Sequence, residues 1–345
     1  MMLPATMKFG LYYGNNDVRV AEKPVPAIGP TEVLVRVATC GICGSDTMQW
    51  YRGPAIERLG GINTGHEIAG EIVETGEAVQ QYNTGDRVVV VHHFPCMQCS
   101  PCLDGNETAC EAMREKYIEP GGFSQFIRVL EPCVAKGLYR LPDTMTYEQG
   151  SFVEPLACVV RGVRKTSPIA ARSVLVFGSG LAGLLHIKLA RHLGAAKITA
   201  VDTNPRRLEA ALRAGADLAM APADVLPSAD RVYVCTGSLK AAESALGCLN
   251  RGGHILFFAT DGPDKQLPIH LTRFWTMQPT ISFSYGAAPR DMREALELLA
   301  SGGVSVDDLV THRFGMDRLA EAFQIASNPR DTSLKVLVEP NRSEL

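Results

Sequence analysis

The sequence predicts a β-rich domain joined to an α/β domain with a doubly wound parallel sheet, and three observations predict it. The 345 residues are too many for one ordinary core and suit two. Short apolar or alternating runs, broken by Gly, Pro and Asn, fill the first half. Beyond Thr166 continuous apolar runs alternate with stretches of helical spacing. The β-rich domain is expected to take residues 1–152 and 288–345, and the α/β domain 153–287.

The elements follow in order. Thr31–Ala38, Glu67–Glu74, Asp86–Val91 and Gly122–Val129 read as strands between turns at Gly29-Pro30 and Asn83-Thr-Gly85. Ser173–Phe177 is a buried strand, followed by a glycine cluster and a helix over Leu181–Leu193. Strands at Lys197–Val201, Arg231–Cys235, His254–Phe258 and Thr280–Ser284 alternate with helices at Arg206–Ala214 and Leu239–Leu249. The tail carries a helix from Asp291 to Ser301, another from Asp317 to about Ser327, and a strand at Leu334–Val338. With no crossover helix of its own, that strand is expected to rejoin the β-rich domain.

Composition narrows the function. Hydrophobic residues make 46% of the chain and charged residues 21%, as in a globular protein. A net charge of −3 without a Lys/Arg block argues against nucleic acid as a partner. No apolar run approaches a membrane span and no leader pattern opens the chain, so the expected location is the cytoplasm. Ten cysteines in such a chain point to metal or catalysis rather than to disulfides.

Gly178-Ser-Gly180-Leu181-Ala182-Gly183 sits between a strand and a helix. That context makes it a dinucleotide loop. The first glycine permits the turn, the second lets backbone approach a pyrophosphate, and the third allows close helix packing. Asp202 ends the next strand, about twenty residues on, where a carboxylate binds ribose hydroxyls and favours NAD over NADP. Arg206 and Arg207 read as a solvated helix start behind Pro205, although Arg207 is also placed to meet a 2′-phosphate.

Cys96, Cys99, Cys102 and Cys110 lie in one Pro/Gly/Asn-rich loop. Four thiolates so spaced can close a tetrahedral Zn²⁺ site, and an iron–sulfur cluster also uses four. Cys43, His66 and Glu67 fall at strand ends and supply three ligands with room for a fourth, the catalytic pattern. Glu154 could fill or vacate that position. Cys40 reads as a small buried residue, and His92 and His93 as structural or solvated.

Taken together, Gly41-Ile-Cys43-Gly-Ser-Asp46, Gly65-His-Glu67, the four-cysteine loop, Glu154-Pro-Leu156, the glycine loop and Asp202 resemble the zinc-dependent medium-chain dehydrogenase/reductase family, especially its polyol dehydrogenase branch. The resemblance spans essentially the whole chain. It implies a GroES-like catalytic domain, a Rossmann domain and a homodimer or homotetramer. Cys43, His66 and Glu67 match the family's catalytic zinc ligands, and Glu154 the acid that binds that metal directly or through water. The four loop cysteines match the structural zinc ligands, giving two zinc ions per chain. Ser45 matches the proton-relay hydroxyl and Asp46 the acid that orients the metal-bound histidine.

The implied reaction moves hydride between a secondary alcohol of polyol, cyclitol or amino-alcohol type and NAD⁺, giving a ketone. Two other readings stand beside it: an NADP-dependent aldehyde or ketone reductase, and a non-catalytic nucleotide- or metal-binding relative. The chain departs from the polyol branch at Met48, where a histidine is common. Either water completes the relay or the substrate is less polar than a sugar alcohol. Trp50, Tyr51, Arg52, Phe274 and Tyr285 are candidates for the substrate pocket.

Overall fold

Each alternating run of the first half presents one apolar face, and those faces meet in a shared core. The computed structural model describes residues 3–260, 262–328 and 333–342. It divides into one unit of Met1–Glu154, Ala287–Ala300 and Val306–Leu345, and another of Pro155–Gly286 and Ser301–Ser305.

In the first unit the main sheet runs in the order Val310–Phe314, Lys335–Val338, Val33–Gly41, Glu67–Thr75, Arg87–Val90, Leu138–Arg140, with Phe126–Val129 also paired to Val33–Gly41. Val35, Val37, Ile68, Ile72, Val88, Val90 and Val338 fill its core. A hairpin of Thr6–Gly14 and Asp17–Pro24 stands apart from this sheet. Asn15 and Asn16 make its turn with φ of 50° and 64°, a conformation asparagine tolerates better than most residues.

Two registers decide what surrounds the strand ends. Glu67–Thr75 pairs antiparallel with Arg87–Val90, Ile68 facing Val90, so His66 and His92 leave the ladder opposite each other. Lys335–Val338 pairs antiparallel with Val33–Gly41, Leu337 facing Gly41, which carries Lys335 towards Cys43.

The tail strand does join the first unit, but the expected reason was wrong. Lys335–Val338 pairs parallel with Val310–Phe314, and helix Leu319–Ser327 lies between them in sequence as their crossover.

In the second unit six parallel strands run in the order Leu218–Met220, Lys197–Val201, Ser173–Phe177, Ala229–Val234, Leu249–Phe257, Thr280–Phe283. Ser173–Phe177, the first in sequence, is central, and the order reverses beside it. Ligands of doubly wound sheets bind at that switch point. Three elements were not expected: helix Val153–Arg164, the short edge strand Leu218–Met220 and helix Leu271–Met277, which has no fully buried residue.

Candidate functional site

Three donors converge in the first unit. Cys43 Sγ, a His66 ring nitrogen and a Glu67 carboxylate oxygen lie within 4.8 Å of one another. Cys43 caps the short helix Gly44–Thr47, and its N–H donates to Asp46 Oδ2 at 3.1 Å. Asp46 has no exposed surface, and its Oδ1 stands 3.5 Å from His66 Nδ1 and 3.3 Å from Arg52 Nη2. Burial works against charge on Asp46, but His66 and Arg52 outweigh it and hold its pKa below the usual carboxylate range. Burial likewise opposes protonation of His66, and Asp46 and Cys43 more than compensate, so its pKa is raised. Asp46 thus meets the Nδ1 side of the ring and leaves Nε2 for a metal.

Glu67 is buried and paired with the equally buried Lys335 ammonium, which approaches Glu67 Oε2. Its other oxygen takes no part in that pair. A side chain at Gly41 would collide with Glu67 Oε2, so glycine makes room for the carboxylate.

The second donor set is the loop of Cys96, Cys99, Cys102 and Cys110, whose sulfurs also lie within 4.8 Å of one another. Cys96 N–H donates to Cys110 Sγ at 3.3 Å, and the Cys99 and Cys102 sulfurs are 3.4 Å apart. Met97 turns the chain with φ of 65°. Backbone N–H groups of Gln98 and Cys99 pull the Cys96 thiol down to about 6, making it a thiolate at neutral pH.

In the second unit, Gly178 has φ of 91° and its N–H donates to Val201 O at 2.8 Å. A Cβ on Gly183 would lie 1.8 Å from Gly178 O, while one on Gly180 would meet nothing within 4 Å. That open space, at the start of helix Leu181–His192 and beside the buried, unpartnered Ser179 hydroxyl, suits a phosphate group. Both Asp202 oxygens already accept backbone N–H groups, from Ser179 at 2.7 Å and Asn204 at 2.8 Å. Arg206 is exposed, as expected, whereas Arg207 is half-buried and its Nε has no hydrogen-bond partner.

Residues 29–143 match the alcohol dehydrogenase GroES-like domain, and residues 182–301 the zinc-binding dehydrogenase domain. A sorbitol dehydrogenase of Bacillus subtilis is 28% identical over 99% of each chain. "Probable D-xylulose reductase A" of Aspergillus clavatus is 32% identical over 93% of each chain. The chain belongs to the zinc-dependent medium-chain dehydrogenase/reductase family. Among solved structures, 2R,3R-butanediol dehydrogenase from Bacillus subtilis superposes with a TM-score of 0.83 at 29% identity, over 97% of this chain and 100% of that one. The chain is therefore a GroES-like plus Rossmann oxidoreductase that uses zinc and NAD(P).

Both donor sets fit zinc in this medium-chain dehydrogenase: four sulfurs saturate a tetrahedron, and a sulfur, nitrogen and oxygen set leaves a position open. Glu154 is buried in the first turn of helix Val153–Arg164 and is not one of the three clustered donors. Ser45 is half-buried, with Arg52 Nη2 3.5 Å from its Oγ. Cys40 is fully buried, and burial pushes its thiol up.

His92 and His93, expected to be structural or solvated, are half-buried beside the catalytic donors. The His92 ring centroid lies 5.2 Å from that of His66 and 3.8 Å from that of His93, and His92 Nδ1 is buried without a partner. Burial, and then the cationic neighbours, push His92 well below the ordinary histidine pKa and His93 to about 3. Phe274 is partly buried against the hydrophobic core of the second unit. Trp50 and Tyr51 are partly exposed and meet edge to face, with Arg52 over the Tyr51 ring, while Tyr285 is exposed.

Proposed function

We propose that this chain oxidises a polar secondary alcohol of polyol type to a ketone with NAD⁺, and runs the same reaction in reverse. The open donor set of Cys43, His66 and Glu67, backed by Asp46, carries the reading. Bound zinc supplies Lewis acidity that lowers an alcohol's pKa, and nicotinamide accepts the hydride.

The chain's own groups handle the rest. Ser45 Oγ takes the alcohol proton and passes it to water, because Met48 has no group to relay it further. His92 and His93, uncharged at neutral pH, accept hydrogen bonds from substrate hydroxyls. This histidine pair takes over the polar role left vacant at Met48. We assign Glu154 as the acid that reaches the metal directly or through water, and Cys96, Cys99, Cys102 and Cys110 as a structural zinc site.

Gly178, Gly180, Leu181, Ala182 and Gly183 cradle the dinucleotide, with Asp202 at the adenosine ribose. A second reading, NADP, is favoured by the half-buried Arg207 guanidinium, whose Nε lacks a partner. The exposed edge strand Thr280–Phe283 supports assembly as a homodimer or homotetramer. Ten free thiols suit the cytoplasm, and no helix among the described residues is long and apolar enough to cross a membrane.

The test is metal analysis followed by an alcohol and ketone panel with both cofactors. We expect about two zinc ions per chain, nicotinamide reduction with polar secondary alcohols, and loss of one zinc together with activity in Cys43→Ala. No absorbance change with any alcohol or ketone would overturn the reading. A strong NADP preference that survives replacement of Arg206 and Arg207 would overturn the role given to Asp202.

A further inference from the structure

Helix Gln49–Leu59 begins at Met48, whose carbonyl oxygen accepts the Tyr51 N–H at 3.1 Å and the Arg52 N–H at 2.9 Å. Arg52 therefore stands one turn beyond Met48 on the same face, and its side chain, tilted towards the N-terminus like any on a helix, reaches back over that turn. What it reaches is the short helix Gly44–Thr47. Arg52 Nε donates to Ser45 O at 2.9 Å, and Nη2 lies 3.3 Å from Asp46 Oδ1 and 3.5 Å from Ser45 Oγ. One edge of a planar guanidinium thus spans the hydroxyl assigned as the proton relay and the carboxylate behind His66.

The surroundings hold that edge in place. Asn15, in the turn between Thr6–Gly14 and Asp17–Pro24, donates its N–H to Gln49 Oε1 at 3.2 Å and pins the start of the helix. Gly60 closes the other end with φ of 68°, its N–H donating to Ile56 O at 2.8 Å. The guanidinium carbon of Arg52 sits 4.9 Å from the centre of the Tyr51 ring. Only 15% of the Arg52 side-chain surface is exposed and none of Asp46's, so the contact is built into the fold rather than made by a solvated tip.

Arginine donates hydrogen bonds and accepts none, so Arg52 cannot take up the alcohol proton. A donor fixed beside Ser45 Oγ acts differently. It occupies a lone pair of the hydroxyl, turns the Ser45 O–H away from Arg52, and favours the partial negative charge on Oγ while protons are in transit. We infer that Arg52 is a positioning residue for the proton step and acts through Ser45. The alcohol O–H breaks and its proton goes to Ser45 Oγ as the Ser45 proton goes to water, so the hydroxyl is regenerated and one proton reaches solvent. This rests on the dehydrogenase reading and on the relay assigned to Ser45.

The experiment compares zinc-replete wild type, Arg52→Met, Ser45→Ala and the double variant, with both cofactors and an alcohol panel that begins with sorbitol, xylitol and 2,3-butanediol. With the fastest alcohol of the panel, Arg52→Met should lower kcat about 10- to 100-fold and leave KM nearly unchanged, the mark of a lost step rather than lost binding. Its solvent deuterium isotope effect on kcat should exceed the wild type's, because the proton step has slowed. The double variant should be no slower than Ser45→Ala alone, since Arg52 has nothing to act through once the hydroxyl is gone. Guanidinium ion, too dilute to unfold the protein, should restore part of the rate of Arg52→Ala, and urea should not. Independently of turnover, zinc content and NADH binding in Arg52→Met should match the wild type, because Asp46 keeps the Cys43 N–H and His66. An unchanged kcat, additive losses in the double variant, or a zinc ion lost from Arg52→Met would overturn this inference and leave the dehydrogenase reading standing. Full activity in Ser45→Ala would remove the relay and this inference with it. Silence of the wild type with every alcohol would overturn the dehydrogenase reading as well.

Discussion

Asp46 shows how much one residue does here: with no exposed surface it serves the Cys43 N–H, the His66 ring and the Arg52 guanidinium together. Asp46→Asn keeps the shape and removes the charge. Zinc affinity should fall roughly 10- to 100-fold, as for other partners of metal-bound histidines, measured by competition with a chromophoric chelator. An unchanged affinity would show that Asp46 does not orient His66. The Lys335–Glu67 pair makes a sharper test because both side chains are buried. Lys335→Met strands a carboxylate, at a cost of about 3–5 kcal/mol in denaturant unfolding, and adding Glu67→Gln should recover most of it. The two loop cysteine pairs and Cys43 were legible in the sequence because ligand spacing is local. Lys335 was not, because it reaches Glu67 from 268 positions away through strand pairing. The nearness of His92 to His66 was hidden for the same reason: only the register of Ile68 with Val90 sets the two against each other.

Elements were most legible where local pattern and tertiary burial agree. Ser173–Phe177, Lys197–Val201 and helix Leu181–His192 are buried parts of the parallel sheet and its first crossover, and their apolar runs announce them. Helix Leu271–Met277 buries no residue and strand Leu218–Met220 is three residues long, so neither leaves a periodic trace. The glycine loop was legible because its context was, and its packing gives a prediction. Gly183→Val would drive a side chain into Gly178 O. Binding of NADH, followed by fluorescence, should be lost while both zinc ions remain. The four-cysteine loop gives the converse. It has only short helical turns and a small cluster built largely from the cysteines, with Met113 beside them. Metal ligation must then supply most of its order, on the order of 10 kcal/mol in small zinc peptides. Cys110→Ser should release one zinc ion and lower the Tm, with new proteolytic cleavage confined to residues 96–116.

At the scale of the whole molecule, the sequence motifs fall in family order and their unit-by-unit placement follows, but what a sheet leaves unpaired appears only in three dimensions. Thr280–Phe283 closes the parallel sheet on one side and, among the described residues, pairs with Leu249–Phe257 alone. Its outward row of N–H and C=O groups has no strand beyond it among the described residues. Trp275 is 79% exposed and Phe283 68%, close in sequence to exposed Leu271 and Tyr285. Monomeric proteins usually blunt such an edge with charge, proline or a cover, yet Thr280-Ile-Ser-Phe283 carries none of the first two. A second copy related by a two-fold axis can lay its own edge antiparallel against this one, satisfying both backbones and covering the aromatic residues. Sedimentation of the zinc-loaded protein at micromolar concentration should therefore give a dimer or tetramer. Phe283→Asp with Trp275→Asp should halve the mass while leaving zinc content and the circular dichroism spectrum unchanged, since neither side chain belongs to the core. A wild-type monomer, or an oligomer indifferent to both substitutions, would remove the edge strand from the assembly.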